Sequence, residues 1–214
     1  PYRGFVDIQA NQAFITDSPD VGLVGDGSIQ RGINIVAAGG TVHVDAGTYV
    51  ESLTISKDVN VVGYGTPTLQ PGGAVTNFVE ISGSGFGDDE TVLLSNFNFD
   101  GQSGLANRGV RGLSSADFAK LIIEDSDFTG FGFNAITVEG NSVSGLSVED
   151  VELTNLTFIG NGGVGGGGSG DVSFFEYNGD ATLTNLSMVG ASSGTAGPRS
   201  GIQFRGVGGA TGVG

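Results

Sequence analysis

Leu94-Ser95-Asn96-Phe97-Asn98-Phe99-Asp100-Gly101 returns three times along the chain. Its copies are Ile123-Glu124-Asp125-Ser126-Asp127-Phe128-Thr129-Gly130, Leu153-Thr154-Asn155-Leu156-Thr157-Phe158-Ile159-Gly160 and Leu183-Thr184-Asn185-Leu186-Ser187-Met188-Val189-Gly190. The third column reads Asn96, Asp125, Asn155 and Asn185, at spacings of 29, 30 and 30 residues. The sixth reads Phe99, Phe128, Phe158 and Met188, and the eighth is Gly in every copy. Columns held in phase over four units mean stacked supersecondary units, each burying its apolar face against its neighbours. Apolar residues alternate within the copies instead of recurring every 3.6 residues, so the units are strands and not helices. The leucines are too variable in position for a leucine-rich repeat. The expected fold is all-β: a parallel β-helix whose coils lie ~4.8 Å apart, the spacing of strands in any sheet.

Stacked amides explain the Asn column. An Asn side chain donates to the coil on one side and accepts from the other, so Asn96, Asn155 and Asn185 form a structural ladder, with Asp125 as an accepting rung. Asn155-Leu156-Thr157 and Asn185-Leu186-Ser187 also match the glycosylation sequon, which the repeat already accounts for. A second strand family follows in each coil: Val79-Glu80, Val110-Arg111, Val138-Glu139, Phe175-Glu176 and Phe204-Arg205. Side chains alternate across a strand, so the first residue of each pair is expected to point inward and the second outward. The Gly-rich run from Gly162 to Gly170 interrupts one coil as a protruding loop, since the repeat resumes after it.

The stack needs a closed start, because an exposed apolar coil aggregates. Residues 28–38 read as a short amphipathic capping helix, with Ile29, Ile33 and Val36 on one face. Asp26 or Ser28 caps its start and Gly39-Gly40 stops it. Residues 1–27 are then a lead-in segment, coils run from about 41 to 206, and 206–214 form a Gly-rich end. The chain opens on Pro1 and finishes without a closing element, so a longer parent polypeptide is expected.

After the helix come Gly39-Gly40-Thr41-Val42-His43-Val44-Asp45-Ala46-Gly47-Thr48-Tyr49 and Leu53-Thr54-Ile55-Ser56-Lys57-Asp58-Val59-Asn60-Val61-Val62-Gly63-Tyr64-Gly65. This stretch, from about Ser28 to Gly65, resembles the opening of pectin-lyase-like right-handed β-helix proteins. The resemblance implies a single-stranded β-helix of right hand. Such proteins include polysaccharide lyases, hydrolases and epimerases, and also adhesins and structural proteins without catalysis. The epimerase-type Asp-Pro-His motif is missing here.

Composition narrows the partners. With 23 acidic residues against 8 Lys and Arg, the net charge is −15, which repels nucleic acid and anionic membrane surfaces. No run of apolar residues is long enough to span a bilayer. Cysteine is absent, so thiol chemistry and disulfides are out. His43, the single histidine, alternates with core valines and is expected at the surface. No cofactor is required, although Ca2+ is possible at oxygen-rich stretches such as Asp88-Asp89-Glu90, Glu124-Asp125-Ser126-Asp127 and Glu149-Asp150. The segment ending at Gly170-Asp171 matches a nonapeptide calcium repeat only in part.

The chemistry-bearing column is Glu80, Arg111, Glu139, Glu176 and Arg205, the candidate glycan-binding residues. Coils in register would bring Glu139 and Glu176 to about 5 Å, the separation of a retaining glycosidase pair. The arginines would flank them and hold a uronate carboxylate. An exposed salt-bridge ladder explains the same residues without catalysis. The leading expectation is therefore a non-catalytic extracellular or cell-surface scaffold, an adhesin-like or sheath or filament component whose partners are polysaccharide or further copies of itself. A polysaccharide-active lyase or hydrolase on acidic glycans, with Glu139 and Glu176 as its acids, and a glycan-binding module are the alternatives.

Overall fold

The computed structural model describes residues 6–17, 27–83, 90–140, 148–162, 170–189 and 201–206. The elements in chain order begin with strands β1 (Val6–Gln9) and β2 (Gln12–Ile15), helix α1 (Ile29–Ile35), then β3 (Gly40–Val44), β4 (Thr48–Val50), β5 (Leu53–Ile55), β6 (Val59–Gly63), β7 (Thr68–Gln70) and β8 (Val75–Ile81). They continue with β9 (Thr91–Ser95), β10 (Asn98–Asp100), β11 (Ala106–Gly112), β12 (Phe118–Thr129), β13 (Asn134–Glu139), β14 (Val148–Ile159), β15 (Val172–Phe175), β16 (Asp180–Val189) and β17 (Ile202–Arg205). The chain is an all-β parallel solenoid. An 11-stranded sheet wraps two sides, and a 6-stranded sheet, in the order β17-β15-β13-β11-β8-β5, closes the third.

Pairing is parallel throughout except for the β1–β2 hairpin. Register runs through one file of aliphatic residues, Val42, Val61, Leu94, Ile123, Leu153 and Leu183. A second file, across the bend, is Tyr49, Leu69, Phe99, Phe128, Phe158 and Met188. Its phenylalanines are fully buried and stack at 4.7 Å and 5.5 Å between ring centroids. Offset stacking of this kind adds roughly 0.5–1.5 kcal/mol per pair beyond simple burial. The sixth repeat column is thus the spine of the core.

The third column lies on the bend between the two sides of the large sheet. Asn96, Asp125, Asn155 and Asn185 all take left-handed backbone conformations, with φ of 62°, 49°, 54° and 52°. Among residues with a Cβ, Asn and Asp tolerate that region best. Side-chain bonds run along the file: Asn185 Nδ2 donates to Asn155 Oδ1 and Asn155 Nδ2 to Asp125 Oδ1, both at 2.8 Å. Asp125 ends the donor chain, where an acceptor-only side chain fits. Asn96 turns its amide to the Gly63 carbonyl at 2.7 Å. Asp125, Asn155 and Asn185 are exposed. The demand for positive φ therefore outweighs their hydrogen bonds, a cause that the amide-stacking argument does not include. Gly130 and Gly160 of the eighth column also have positive φ, 71° and 63°, while Gly190 lies outside the described residues.

The start of the stack is closed by α1, which is shorter than the expected span of 28–38. Ser28 is the N-cap, accepting from Arg31 N at 3.2 Å, and Val36 already returns to extended backbone. Asp26 lies outside the described residues. Glu51 Oε1 accepts from Ile29 N at 2.7 Å, and its Oε2 accepts from Ser28 Oγ at 2.8 Å and Gln30 N at 3.2 Å. At the other end Lys57 Nζ donates to the Val36 carbonyl. The lead-in contributes β2, which pairs in parallel with β3, so sheet structure starts before the helix. Gln30 does the edge-blocking. Its side-chain amide donates to Thr54 O at 2.9 Å and accepts from Thr54 N at 2.6 Å, covering backbone groups of the edge strand β5.

Candidate functional site

The outward face of the small sheet carries the chemistry, and a shared kink aims it. Phe78 and Val79, Gly109 and Val110, and Ala135 and Ile136 are consecutive pairs in which both residues are buried. At Ala135 and Ile136 both N–H groups bond to the Asp171 carbonyl, at 3.0 Å and 2.9 Å, which is a β-bulge. Gly109 is required there, since a Cβ would sit 2.3 Å from the Ala135 carbonyl oxygen. The kink resets the alternation, so Arg108 and Arg111 both face outward although three residues apart.

Register then corrects the expected column. Glu80 pairs with Arg111, but Arg111 pairs with Thr137, and Thr137 with Ser173, which pairs with Gln203. Glu139 lies two positions further on, opposite Phe175, which in turn pairs with Arg205. Glu176 falls beyond the end of β15, at φ 53°, with its N–H on the Arg205 carbonyl at 2.7 Å. The two carboxylates are therefore not strand partners. Aligning the repeats on their Val-Glu and Phe-Glu pairs misjudges the offset because the connecting loops differ in length.

Glu139 is instead gripped by Arg111. Nε and Nη2 of Arg111 donate to its two carboxylate oxygens at 2.9 Å each, a fork geometry that both fixes and strengthens the pair. Arg111 Nη1 reaches Asn77 Oδ1 at 3.4 Å, and Asn77 Nδ2 donates to Glu80 at 2.6 Å. A continuous polar network thus ties together three coils.

Beside this network is a cleft of about 180 Å³ lined by Arg108, Phe133, Asn134, Thr137, Glu139, Ser173, Phe175 and Arg205. The Arg108 guanidinium lies over the Phe133 ring, 5.4 Å from its centroid. Burial, and then the charge of Arg111, disfavour the charged form of Arg108, against the pull of Glu139. Arg108 Nε and Thr137 Oγ1 are buried without a protein partner. Arg108 escapes strict period-two counting from Arg111, which sends it inward. The signal that finds it is the bulge, marked by Phe78-Val79 and Gly109-Val110 at equivalent positions.

The remaining candidates fall elsewhere. His43 faces outward, stacked on Phe14 at 4.6 Å, with Nδ1 3.0 Å from Tyr64 Oη and Nε2 3.1 Å from Gln12 Oε1. Asp88 and Asp89 lie outside the described residues, as does most of the Gly-rich loop. Among the described residues no group of three or more His, Asp or Glu side chains is disposed to hold a metal. None of their helices is long and apolar enough to cross a bilayer.

The fold and site together define a parallel β-solenoid with a polar, arginine-bearing outer face. No protein-family model matches the chain, and no curated protein matches it.

Proposed function

We propose that this chain is a non-catalytic β-solenoid scaffold of the extracellular or cell-surface type. The observation that carries the reading is the fork between Arg111 and Glu139. A glycosidase acid or nucleophile needs a free oxygen and a second carboxylate about 5–5.5 Å away or further, placed across the bond it breaks. Here both oxygens of Glu139 are engaged, and its strand partner is Phe175. The network from Glu80 to Glu139 instead binds coil to coil.

The test is incubation of the chain with acidic polysaccharides, following reducing ends and unsaturated products. No products are expected from the wild type. Cleavage that disappears in a Glu139→Gln/Glu176→Gln double variant would overturn the scaffold reading in favour of the enzyme.

A further inference from the structure

We infer that Asn178-Gly179 is a site of spontaneous backbone modification and that its product loosens the last described coil. This goes beyond the scaffold reading and does not depend on it. The chain contains two Asn-Gly pairs, Asn161-Gly162 and Asn178-Gly179. Gly has no side chain to shield its nitrogen, so in either pair that nitrogen can attack the preceding amide carbon. The fold locks one pair and leaves the other open. Asn161 is 3% exposed; its Oδ1 accepts from Phe131 N at 3.0 Å, and its Nδ2 donates to the Phe128 carbonyl at 3.1 Å and to Asp171 Oδ1 at 3.0 Å. The Gly162 N–H, which would have to attack, is itself engaged by the Phe131 carbonyl at 2.7 Å. Asn178 is exposed, in the short connection between β15 and β16. Among the described residues neither its amide nor the Gly179 N–H has a hydrogen-bond partner.

The step needs only water. Gly179 N gives up its proton and bonds to Asn178 Cγ, the Cγ–Nδ2 bond breaks, and ammonia leaves with the proton. Water then opens the cyclic imide. Opening at Cγ gives Asp; opening at the main-chain carbonyl gives isoaspartate, whose main chain runs through Cβ and Cγ and is one carbon longer. The fold has no slack for that carbon. Tyr177 Oη lies 2.7 Å from the Asp180 carbonyl oxygen and 3.0 Å from that of Glu149, which pins both sides of the pair. Gly179 is pressed so close to β14 that a Cβ there would sit 1.9 Å from the Glu149 carbonyl oxygen. The new carboxylate also enters an acidic edge, since Asp150 and Asp180 are strand partners and Lys120 is paired with Glu152. Like charges opposed across strands are destabilising. Among the described strands β16 is bonded to β14 alone, so little holds it once its entry shifts.

Peptide mapping by mass spectrometry tests this on the full chain, aged folded and aged in denaturant, with isoaspartate scored by enzymatic methylation. In denaturant both Asn residues should convert at similar rates, because both precede Gly. In the folded chain Asn178 should convert at close to that rate and Asn161 roughly a hundredfold more slowly, as breaking several buried hydrogen bonds demands. Amide exchange in the converted chain should be a few-fold faster along β16 and unchanged along β12. Asn178→Gln, whose longer side chain closes the imide ring far more slowly, should age without either change. A folded Asn178 that converts no faster than Asn161, or an isoaspartate-bearing chain whose β16 is as protected as in the fresh protein, would each overturn the inference.

Discussion

The two ends of the described solenoid share the same parallel stacking of strands and are buried very differently. At the N-terminal end Ile15, Val42, Leu53 and Ile55 are at most 3% exposed, because α1, Glu51 and Gln30 close over them. In the last described coil, Leu183, Leu186, Met188 and Ile202 are only partly buried, Val189 is 55% exposed and Phe204 is 68% exposed. Met188 continues the file of Phe99, Phe128 and Phe158, yet its burial is not theirs. A coil does not own its core. Each acquires burial from the layer on either side, so a residue's contribution is set by how many layers flank it.

The largest consequence is a gradient in mutational cost. Phe128→Ala, with stacked rings on both sides, should destabilise by about 3–5 kcal/mol, whereas Met188→Ala should cost about 1 kcal/mol or less. Denaturant unfolding of both variants checks this, and equal losses would break the comparison of ends. Next is the cap. Glu51→Ala strips three donors at the start of α1 of their acceptor and should cost about 2 kcal/mol. Loss of helix closure should also expose β5, detectable as faster amide exchange at Thr54.

Smaller effects sharpen the account within the stack. Asn155→Ala should cost about 1 kcal/mol more than Asn155→Gly, because only Gly keeps the left-handed bend without strain. If Gly proves the worse replacement, the exposed amide file matters more than the backbone. The smallest concerns Asp171, buried beside Asn161. Burial raises its carboxyl above the ordinary value, against the 3.0 Å bond from Asn161 Nδ2. A folded-state pKa above the unfolded one means that the folded chain holds the proton more tightly. Its contribution is thus fully present below the unfolded value of about 3.9 and is lost as pH rises through the raised value. Asp171→Asn should raise Tm at pH 7 relative to the wild type, and the gain should vanish as pH falls toward 4.

The stack itself was legible in the amino-acid sequence because self-similarity reports register directly: Leu94, Ile123, Leu153 and Leu183 align in sequence and pair in space. From Leu94 onward the large sheet's register partners lie 29 or 30 residues apart, so counting works there. The small sheet was less legible. Its strands are separated by loops of unequal length, and its bulge places Phe78 and Val79, or Ala135 and Ile136, on the same side. Counting by twos across such a kink assigns Arg108 to the wrong face, and the unequal loops set Glu139 against Glu176 instead of Phe175. Glu51 was invisible for another reason: nothing local in the sequence links it to a helix start 22 residues earlier.

The stacking is tested most directly by distance. The chain has no cysteine of its own, so nitroxide labels on Asn60→Cys and Thr182→Cys report a single pair. Asn60, Leu93, Ile122, Glu152 and Thr182 are successive register partners. Four steps of about 4.8 Å put the two labelled backbones roughly 19 Å apart, and the Asn60→Cys/Ile122→Cys pair should be about half as far. A narrow distribution near those separations, growing in proportion to the number of coils crossed, is the expected result. A broad distribution, or an Asn60–Thr182 distance unrelated to that of the nearer pair, would contradict it.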